Sequence, residues 1–239
     1  MSFMAKIAAG AATLALTGGG LGIAGTLSAS AETSSCHHCD NWYTQKFGPA
    51  DVLDALHGQA SIGNGVILFQ ASRSDPGEDF VTDELGPVGS LSGQHGHHGH
   101  YRISRRFAQA YGSDDAIEIR YVPRGRDSGL CIGTWPGQDA QPGFKIRLET
   151  CGETNTLLVK PAPPAPPHPG HAGNDGARYT ALITGTDTDF DHPLVLNYPR
   201  GNPTDMPRPW LDVEPQITGS HHRTANEGQM WKDKMDYGS

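Results

Sequence analysis

The sequence has few basic residues: 18 Lys and Arg stand against 26 Asp and Glu, giving a formal net charge of −8 over 239 residues. These basic residues nowhere form a stripe with interleaved aromatic side chains, which is the pattern expected of a nucleic-acid interface. A negative net charge also opposes approach to a phosphate backbone and favours solubility. We therefore expect no nucleic-acid partner.

Long apolar runs are missing after residue 31, so nothing beyond it is long enough to span a bilayer. The first 31 residues have the pattern of a signal peptide, because Lys6 and an Ala/Leu/Gly-rich run precede the small residues of Ala29-Ser30-Ala31. A transmembrane anchor is the alternative, and the glycines at 18, 19, 20 and 22 disfavour it. We expect a secreted, extracellular protein with no membrane association in its mature form.

Recognisable catalytic motifs are also missing. The sequence contains no Gly-x-Ser-x-Gly, the turn that presents the nucleophile of many serine hydrolases. Glycosidases use paired carboxylates, but the acidic pairs here, Glu78 with Asp79 and Asp187 with Asp189, have the pattern of solvated turns. We therefore expect a protein that is not an enzyme and needs no cofactor.

What the chain does contain is glycine and proline, 31 and 18 residues respectively, with only 36% apolar residues. This composition predicts many short strands joined by long turns. Alternating apolar residues indicate half-buried strands at Phe144, Ile146 and Leu148 and again over 116–121. The turn Gly63-Asn64-Gly65 before Val66 is a hairpin signal. The predicted fold class is therefore all-β.

Other segments have weaker patterns. One short helix is expected over 41–56, broken by Pro49, and a solvated strand face over 101–107. The Pro-rich segment 160–177 is expected to be a surface excursion within one domain, since Pro cannot join a central sheet. The predicted organisation is a signal peptide over 1–31, an N-terminal extension over 32–56 and a single domain over 57–239.

Four cysteines in an exported chain predict two disulfides, and their spacing favours Cys131 with Cys151 and Cys36 with Cys39. Closing a loop of roughly 20 residues is worth about 3 kcal/mol in the entropic model. For Cys36-His37-His38-Cys39 two alternatives stay open: a soft-metal site built from thiolates and imidazoles, and a Cys-x-x-Cys redox pair.

A histidine tract gives weak metal candidates. Four imidazoles that can chelate nickel, copper or zinc lie within six residues, at His95, His97, His98 and His100. A loop of this kind does not fix coordination geometry, so adventitious affinity is expected. Aspartates at 187, 189 and 191 resemble a calcium loop only superficially, because the glycine at the sixth position and the distal glutamate are missing. We expect no specific metal site.

Three stretches of the chain line up as copies of one unit. Val66–Phe69, Lys145–Leu148 and Pro193–Leu196 occupy equivalent places, and each is followed by a closing apolar position, at Phe80-Val81, Leu157-Leu158 and Met230-Trp231. Such self-similarity predicts pseudo-threefold symmetry.

The copy from Cys131 to Val159 resembles a repeat of the ricin B-type β-trefoil family, and Gln229-Met230-Trp231 matches that family's Gln-x-Trp motif once. The resemblance covers roughly 57–233. It implies a single β-trefoil-like domain of three repeats with long loops, commonly a carbohydrate-binding module. The family's sugar-binding aspartate falls on Gly133 here, and on Thr184 or Gly185 in the third copy. We therefore expect weak glycan affinity outside the usual pocket.

Two functions remain in view. A lectin-like module needs aromatic faces for sugar rings, with carboxylate and amide groups for the hydroxyls. The candidate ligand-binding residues are Trp135, Trp210, Tyr198, Asn197 and Asp191. The alternative is a secreted protein-interaction or protease-inhibitor-like scaffold that works through its long loops. The expected partners are thus glycans or a secreted protein.

Overall fold

The strands of the protein fall into three successive groups of four. The computed structural model describes residues 39–72, 74–91, 101–161, 179–199, 204, 207–217 and 227–235. The first repeat contains β1 Asp40–Thr44, β2 Asp51–Ala55, β3 Val66–Gln70 and β4 Phe80–Pro87. The second contains β5 Asp115–Tyr121, β6 Leu130–Gly133, β7 Arg147–Thr150 and β8 Leu158–Lys160. The third contains β9 Ile183–Thr184, β10 Leu194–Asn197, β11 Asp212–Pro215 and β12 Trp231–Met235.

The hairpin of each repeat and its pairing with the next repeat follow one scheme. The middle two strands form an antiparallel hairpin, β2–β3, β6–β7 and β10–β11. The outer strands pair between repeats, as β4–β5, β8–β9 and β1–β12, and within the second repeat as β5–β8. The remaining neighbours are joined by a bridge between Thr180 and Trp231, by a bond from the Thr82 N–H to Asp40, and by a bond from the Trp42 indole N–H to the Thr82 hydroxyl. Six outer strands and three hairpins make this a β-trefoil, as the sequence predicted, and closure leaves few free strand edges.

The core lies where the three hairpins meet the outer strands. Equivalent pairs face each other in the three hairpins, Leu53 with Leu68, Ile132 with Leu148, and Leu196 with Val213. All six side chains are buried in one hydrophobic cluster, which also contains Phe80, Leu158 and Trp231 from the fourth strands. Burying one such side chain stabilises the fold by about 1.5–3 kcal/mol, so the threefold register is strongly specified.

A second cluster covers one side of the outer strands. It involves α1 Val88–Leu91 and α2 Arg105–Tyr111, which pack Val88, Phe107 and Tyr111 against residues of β5, β8 and β9. The Ser104 hydroxyl caps α2 by accepting a bond from the Phe107 N–H at 3.1 Å. The strand predicted over 101–107 is therefore wrong, because Phe107 and Tyr111 share a helical face.

The predicted helix over 41–56 is also wrong. This segment forms β1 and β2, separated by a 3₁₀ turn at Gly48–Ala50 that begins with Pro49. Residues 40–44 pair with 231–235 at the far end of the chain, a partner that no local pattern reveals. Residues 40–55 therefore supply the first half of repeat one.

The prediction for the third copy is wrong by one strand. Leu194–Asn197 is the second strand of its repeat, equivalent to β2 and β6, and the true counterpart of β3 and β7 is Asp212–Pro215. A short apolar run fits either strand, and only the pairing of Leu196 with Val213 decides between them. In this register Gly133 is equivalent to Asp54 and Asn197, and not to Thr184 or Gly185.

The Gln-x-Trp motif has a structural counterpart in each repeat. The side chain of Gln229 accepts a bond from the Ile217 N–H and donates to the Pro215 carbonyl, which ties down the chain after β11. In repeat one, both Glu78 oxygens accept from the Ser72 N–H, two residues after β3. The same polar bond therefore closes two repeats with different residue types, which hides the repetition in the sequence.

Repeat two makes the equivalent bond with a residue from a different strand. Glu118 of β5 accepts from the Gly152 N–H at 2.7 Å and from the Thr156 hydroxyl. Burial raises the pKa of Glu118 above its usual value, with nearby Asp83 adding to the shift, while hydrogen bonds including those of Thr156 and Gly152 oppose it. A buried carboxylate thus replaces the amide of the motif.

The predicted disulfide between Cys131 and Cys151 is confirmed, and it joins β6 to the turn after β7. Cys39 is also disulfide-bonded, and the described residues include no free cysteine. Cys36, the histidines at 95, 97, 98 and 100, the signal segment 1–31 and most of the Pro-rich segment lie outside the described residues. No helix within the described ranges is long and apolar enough to cross a membrane.

Candidate functional site

A groove of about 410 Å³ lies where the β6–β7 hairpin of repeat two meets the start of β11 in repeat three. Its walls carry two indoles, one further aromatic ring, an amide and two basic side chains. The lining residues are Trp135, Gln138, Gly143, Phe144, Lys145, Arg147 and Trp210. The groove thus combines apolar faces with hydrogen-bond donors.

Trp135 follows the end of β6 and is 51% exposed, one of two large hydrophobic side chains described as exposed. The backbone of the preceding residue is held in place, because the Thr134 N–H donates to the Asn155 carbonyl at 3.0 Å. The guanidinium of Arg147 lies 3.3 Å from the centre of the indole ring, a cation–π contact. One face of Trp135 is therefore held by Arg147.

Trp210 is half-buried and packs directly on the backbone of repeat one. A Cβ atom placed on Gly65 would lie 2.3 Å from Cε2 of the indole, so only glycine leaves room for the ring. The next residue, Leu211, donates its N–H to the Val66 carbonyl and accepts a bond from the Ile146 N–H, each at 2.8 Å. All three repeats therefore meet at Trp210.

The basic side chains of the groove have acidic partners. Lys145 Nζ lies 2.9 Å from Asp212 Oδ2, and Asn197 donates to the other oxygen of Asp212 at 2.8 Å. Arg147 Nε lies 3.1 Å from Glu149 Oε1, an ion pair without hydrogen-bond geometry. Because each cation is paired, the groove carries little net positive charge. The Lys145 side chain is still half-exposed, so its other donors face solvent.

The structure brings together two of the five predicted ligand-binding residues, Trp135 and Trp210. Asn197 does not line the groove, but it donates to Asp212, which forms an ion pair with the lining residue Lys145. Tyr198 is 4% exposed and packs edge-on against Phe47 with ring centres 4.9 Å apart, so it offers no face to a ligand.

Asp191 lies elsewhere, in the exposed turn between β9 and β10, where its N–H bonds to Asp189. Lys145 and Arg147 also line the groove, although they were not among the predicted ligand-binding residues. A sequence pattern could have identified them. They alternate with Phe144, Ile146 and Leu148, so the polar face of that strand, which the pattern assigned only to solvent, forms one wall of the groove.

The position of the family's sugar-binding aspartate is closed in repeat two. A Cβ on Gly133 would lie 2.5 Å from the Asn155 carbonyl oxygen, so an aspartate does not fit there without a backbone shift. The equivalent Asp54 is 3% exposed and the equivalent Asn197 is bonded to Asp212. None of the three lines the groove, which therefore differs from the pocket that the resemblance implies.

By sequence, the chain matches no protein-family model and no curated protein. Among solved structures it is similar to ThreeFoil, described as a designed 3-fold symmetric protein. The TM-score is 0.50, the similarity covers 82% of this chain and 97% of that one, and the sequences are 13% identical. At that identity the similarity supports the fold alone: the chain has a β-trefoil fold built from three repeats.

Proposed function

We propose that the protein is a secreted, non-catalytic binding module that binds carbohydrate weakly in the groove between repeats two and three. The observation that carries this proposal is the convergence of Trp135 and Trp210 on one concave surface, beside Gln138 and Lys145. Sugar rings present apolar faces that stack on aromatic side chains, while their hydroxyls need nearby hydrogen-bond partners.

The size and lining of the groove agree with a ligand of one or a few sugar rings. Its volume of about 410 Å³ is within the range of roughly 300–1,000 Å³ that small-molecule sites occupy. Gln138 and Lys145 supply donors, and the Gln138 carbonyl supplies an acceptor. The ricin B-type resemblance also supports a sugar as the ligand, and the predicted signal peptide supports export.

Weak affinity follows from the lack of a free carboxylate among the lining residues. Asp212 is bonded to Lys145 and Asn197, so it has little capacity left for a sugar hydroxyl. A hydroxyl without a partner in a desolvated site costs about 1–3 kcal/mol. That cost corresponds to roughly tenfold to a hundredfold in affinity.

The test is titration of the purified protein with galactose and xylose oligomers by calorimetry or by NMR. Trp210→Ala and Trp135→Ala should each weaken the binding, with Tyr179→Ala as a matched control because Tyr179 packs on Tyr43 and does not line the groove. Saturable binding that survives both tryptophan substitutions would refute the groove as the site.

A second candidate function, protein binding, is favoured by Ile62, which is 65% exposed. It lies in the β2–β3 loop beside Gly63, and a Cβ on Gly63 would be 3.7 Å from an Arg147 nitrogen, so this loop borders the groove. An exposed aliphatic residue adds nothing to sugar stacking but fits an apolar protein surface. Ile62→Ala should leave glycan binding unchanged, whereas loss of capture of secreted proteases by this variant would support the interaction scaffold.

A further inference from the structure

Three carboxylates from separate parts of repeat one converge beneath its β3–β4 connection. Asp54 belongs to β2, while Asp75 and Glu78 flank the 3₁₀ turn Pro76–Glu78. One oxygen of each carboxylate lies within 4.8 Å of the others. Asp54 and Glu78 are 3% and 6% exposed, and the half-buried Asp75 leaves an opening to solvent.

The decisive feature is the Oδ2 atom of Asp54. It is fully buried and has no hydrogen-bond partner in the part of the chain that the structure describes. A buried carboxylate oxygen without a donor is unfavourable, and native proteins almost always satisfy such atoms. This oxygen faces the turn that holds the other two acids, since a Cβ on Gly77 would lie 2.9 Å from it.

The positive charge near the cluster only partly offsets its negative charge, because Arg208 acts electrostatically on Asp54 without forming an ion pair with it. Among the described side chains, no Lys or Arg forms an ion pair with Asp54, Asp75 or Glu78. Within the described residues, Asp75 Oδ1 accepts from the Gly77 N–H, and Glu78 accepts only from the Ser72 N–H. Each acid therefore has further lone pairs to offer.

The pKa values of these carboxyl groups are consistent with burial close to one another. Desolvation, with the nearby carboxylates adding to it, raises the pKa of Asp54 to about 7 against the opposing charge of Arg208, and raises the pKa of Glu78 to about 8 against the hydrogen bond from Ser72. The buried Tyr121 hydroxyl, also without a hydrogen-bond partner among the described residues, has a raised pKa because of burial and then of Asp54 and nearby acids. A fourth oxygen thus lies near the cluster.

We propose that Asp54, Asp75 and Glu78 form a binding site for a hard divalent cation, with Ca²⁺ as the preferred ion. The donors are all oxygens, which excludes the soft ligands that select zinc or copper. Two oxygens bound to one Ca²⁺ at about 2.3–2.6 Å lie at most about 5 Å apart, so the observed spacing suits a single ion. Ca²⁺ also tolerates an irregular oxygen set, whereas Mg²⁺ requires a near-ideal octahedron.

Sequence patterns did not reveal this site. Asp54 is separated from Asp75 and Glu78 by about two dozen residues or fewer, in no known metal-loop spacing, and they come together only through the β2–β3 hairpin and the 3₁₀ turn that follows it. The aspartates at 187, 189 and 191, which do have a metal-like pattern, are not among its residues. The site also shares no residue with the groove, so it is independent of glycan binding.

The experiment is thermal unfolding and calorimetric titration of the purified protein, first stripped with EDTA and then supplied with CaCl₂. Extracellular calcium modules bind with Kd values of about 10⁻⁴–10⁻³ M, so about 10 mM CaCl₂ is saturating or nearly so. We expect a single site and a melting temperature that rises with calcium concentration. Asp54→Asn should weaken calcium binding by at least about tenfold, while Asp189→Asn, in the exposed turn, should bind like the wild type.

Terbium luminescence on the wild-type protein gives a readout that does not depend on a variant's folding. A bound lanthanide near Tyr121 should be excited through the tyrosine, and excess Ca²⁺ should quench the emission by competition. The proposal is overturned if calcium neither shifts the melting temperature nor displaces terbium, and if Asp54→Asn raises the melting temperature in EDTA and calcium alike. That result would identify a cluster of carboxyl groups that are simply protonated.

Discussion

Gly65→Ala is the substitution that most directly tests the geometry of the groove. The backbone φ of Gly65 lies outside the left-handed region, so alanine is compatible with its conformation. At such a position, replacing glycine usually stabilises a protein by about 0.4–1 kcal/mol, because the unfolded chain has less freedom to lose. Any destabilisation must therefore come from contact with Trp210.

The destabilisation expected from that contact follows from one distance. The new Cβ would lie 2.3 Å from Cε2 of Trp210, whereas carbon atoms in good contact are about 3.5–4.0 Å apart. The indole must therefore move by more than 1 Å, or the hairpins must separate, and forced overpacking of this kind costs about 1–3 kcal/mol. A displaced Trp210 also disturbs the groove, so glycan binding should weaken with the stability.

A double-mutant cycle with Trp210→Ala isolates this effect. Urea unfolding should show that Gly65→Ala destabilises the wild-type background by about 1–3 kcal/mol, but that it is close to neutral, within about 0.5 kcal/mol, once the indole is gone. An equal cost in both backgrounds would refute the argument, because the clash would then be with the backbone and the position of Trp210 would be wrong.

Two further predictions concern repeat two. Replacing Cys131 and Cys151 together by alanine should destabilise the fold by about 3 kcal/mol, since the 20-residue separation gives that loop-closure value, and urea unfolding with unreduced peptide mapping checks both the bond and its worth. Glu118 has a raised pKa because of burial, so the folded state holds its proton more tightly than the unfolded chain does. Its stabilising contribution is complete below the usual value of 4.5 and is lost as the pH rises through the folded pKa. Glu118→Gln, which can still accept from Gly152, should flatten the fall in melting temperature on the alkaline side of pH 4.5, and an unchanged slope would contradict this assignment.

What the sequence predicted correctly is local in origin. The strand over 116–121 was predicted correctly, and so was a strand near Leu148, although it runs over Arg147–Thr150 and not from Phe144, because period-two alternation indicates one buried face. The disulfide was found because cysteine spacing in an exported chain restricts the pairing. The alternation and the cysteine spacing can each be recognised within about 20 residues of sequence.

The errors arise where the partner is distant. β1 pairs with β12 across the whole chain, and its aromatic residues are also compatible with a helix when read alone. The third repeat was shifted by one strand because apolar runs of four residues look alike, whereas hairpin register is a property of two segments. For α2, the cap at Ser104 and the spacing of Phe107 and Tyr111 were visible, but the arginines between them suggested a solvated strand.

The candidate site, too, was predicted only where the information is local. Trp135 and Trp210 were identified from residue type, since aromatic residues in loops of a binding module are natural contacts. Their meeting in one groove depends on Gly65, a residue with no chemical function that lies in a different repeat from both. Tyr198 has the same residue class but is buried against Phe47, because it follows β10 on the inner face of the third repeat.

The three repeats show how one structural position acquires different chemistry under a common fold. The residue that follows the core pair in the second strand is Asp54, Gly133 and Asn197 in turn. Gly133 is required by the carbonyl of Asn155, Asn197 orients the Asp212 carboxylate that holds Lys145, and Asp54 enters an acidic cluster. The core pairs beside these positions stay apolar in all three repeats, since the shared hydrophobic cluster accepts no polar group without a partner. The position next to the core pair therefore differs in chemistry between the repeats, and because it does not have to match its counterparts it carries a close backbone contact in one repeat, orients an ion pair in another and joins an acidic cluster in the third.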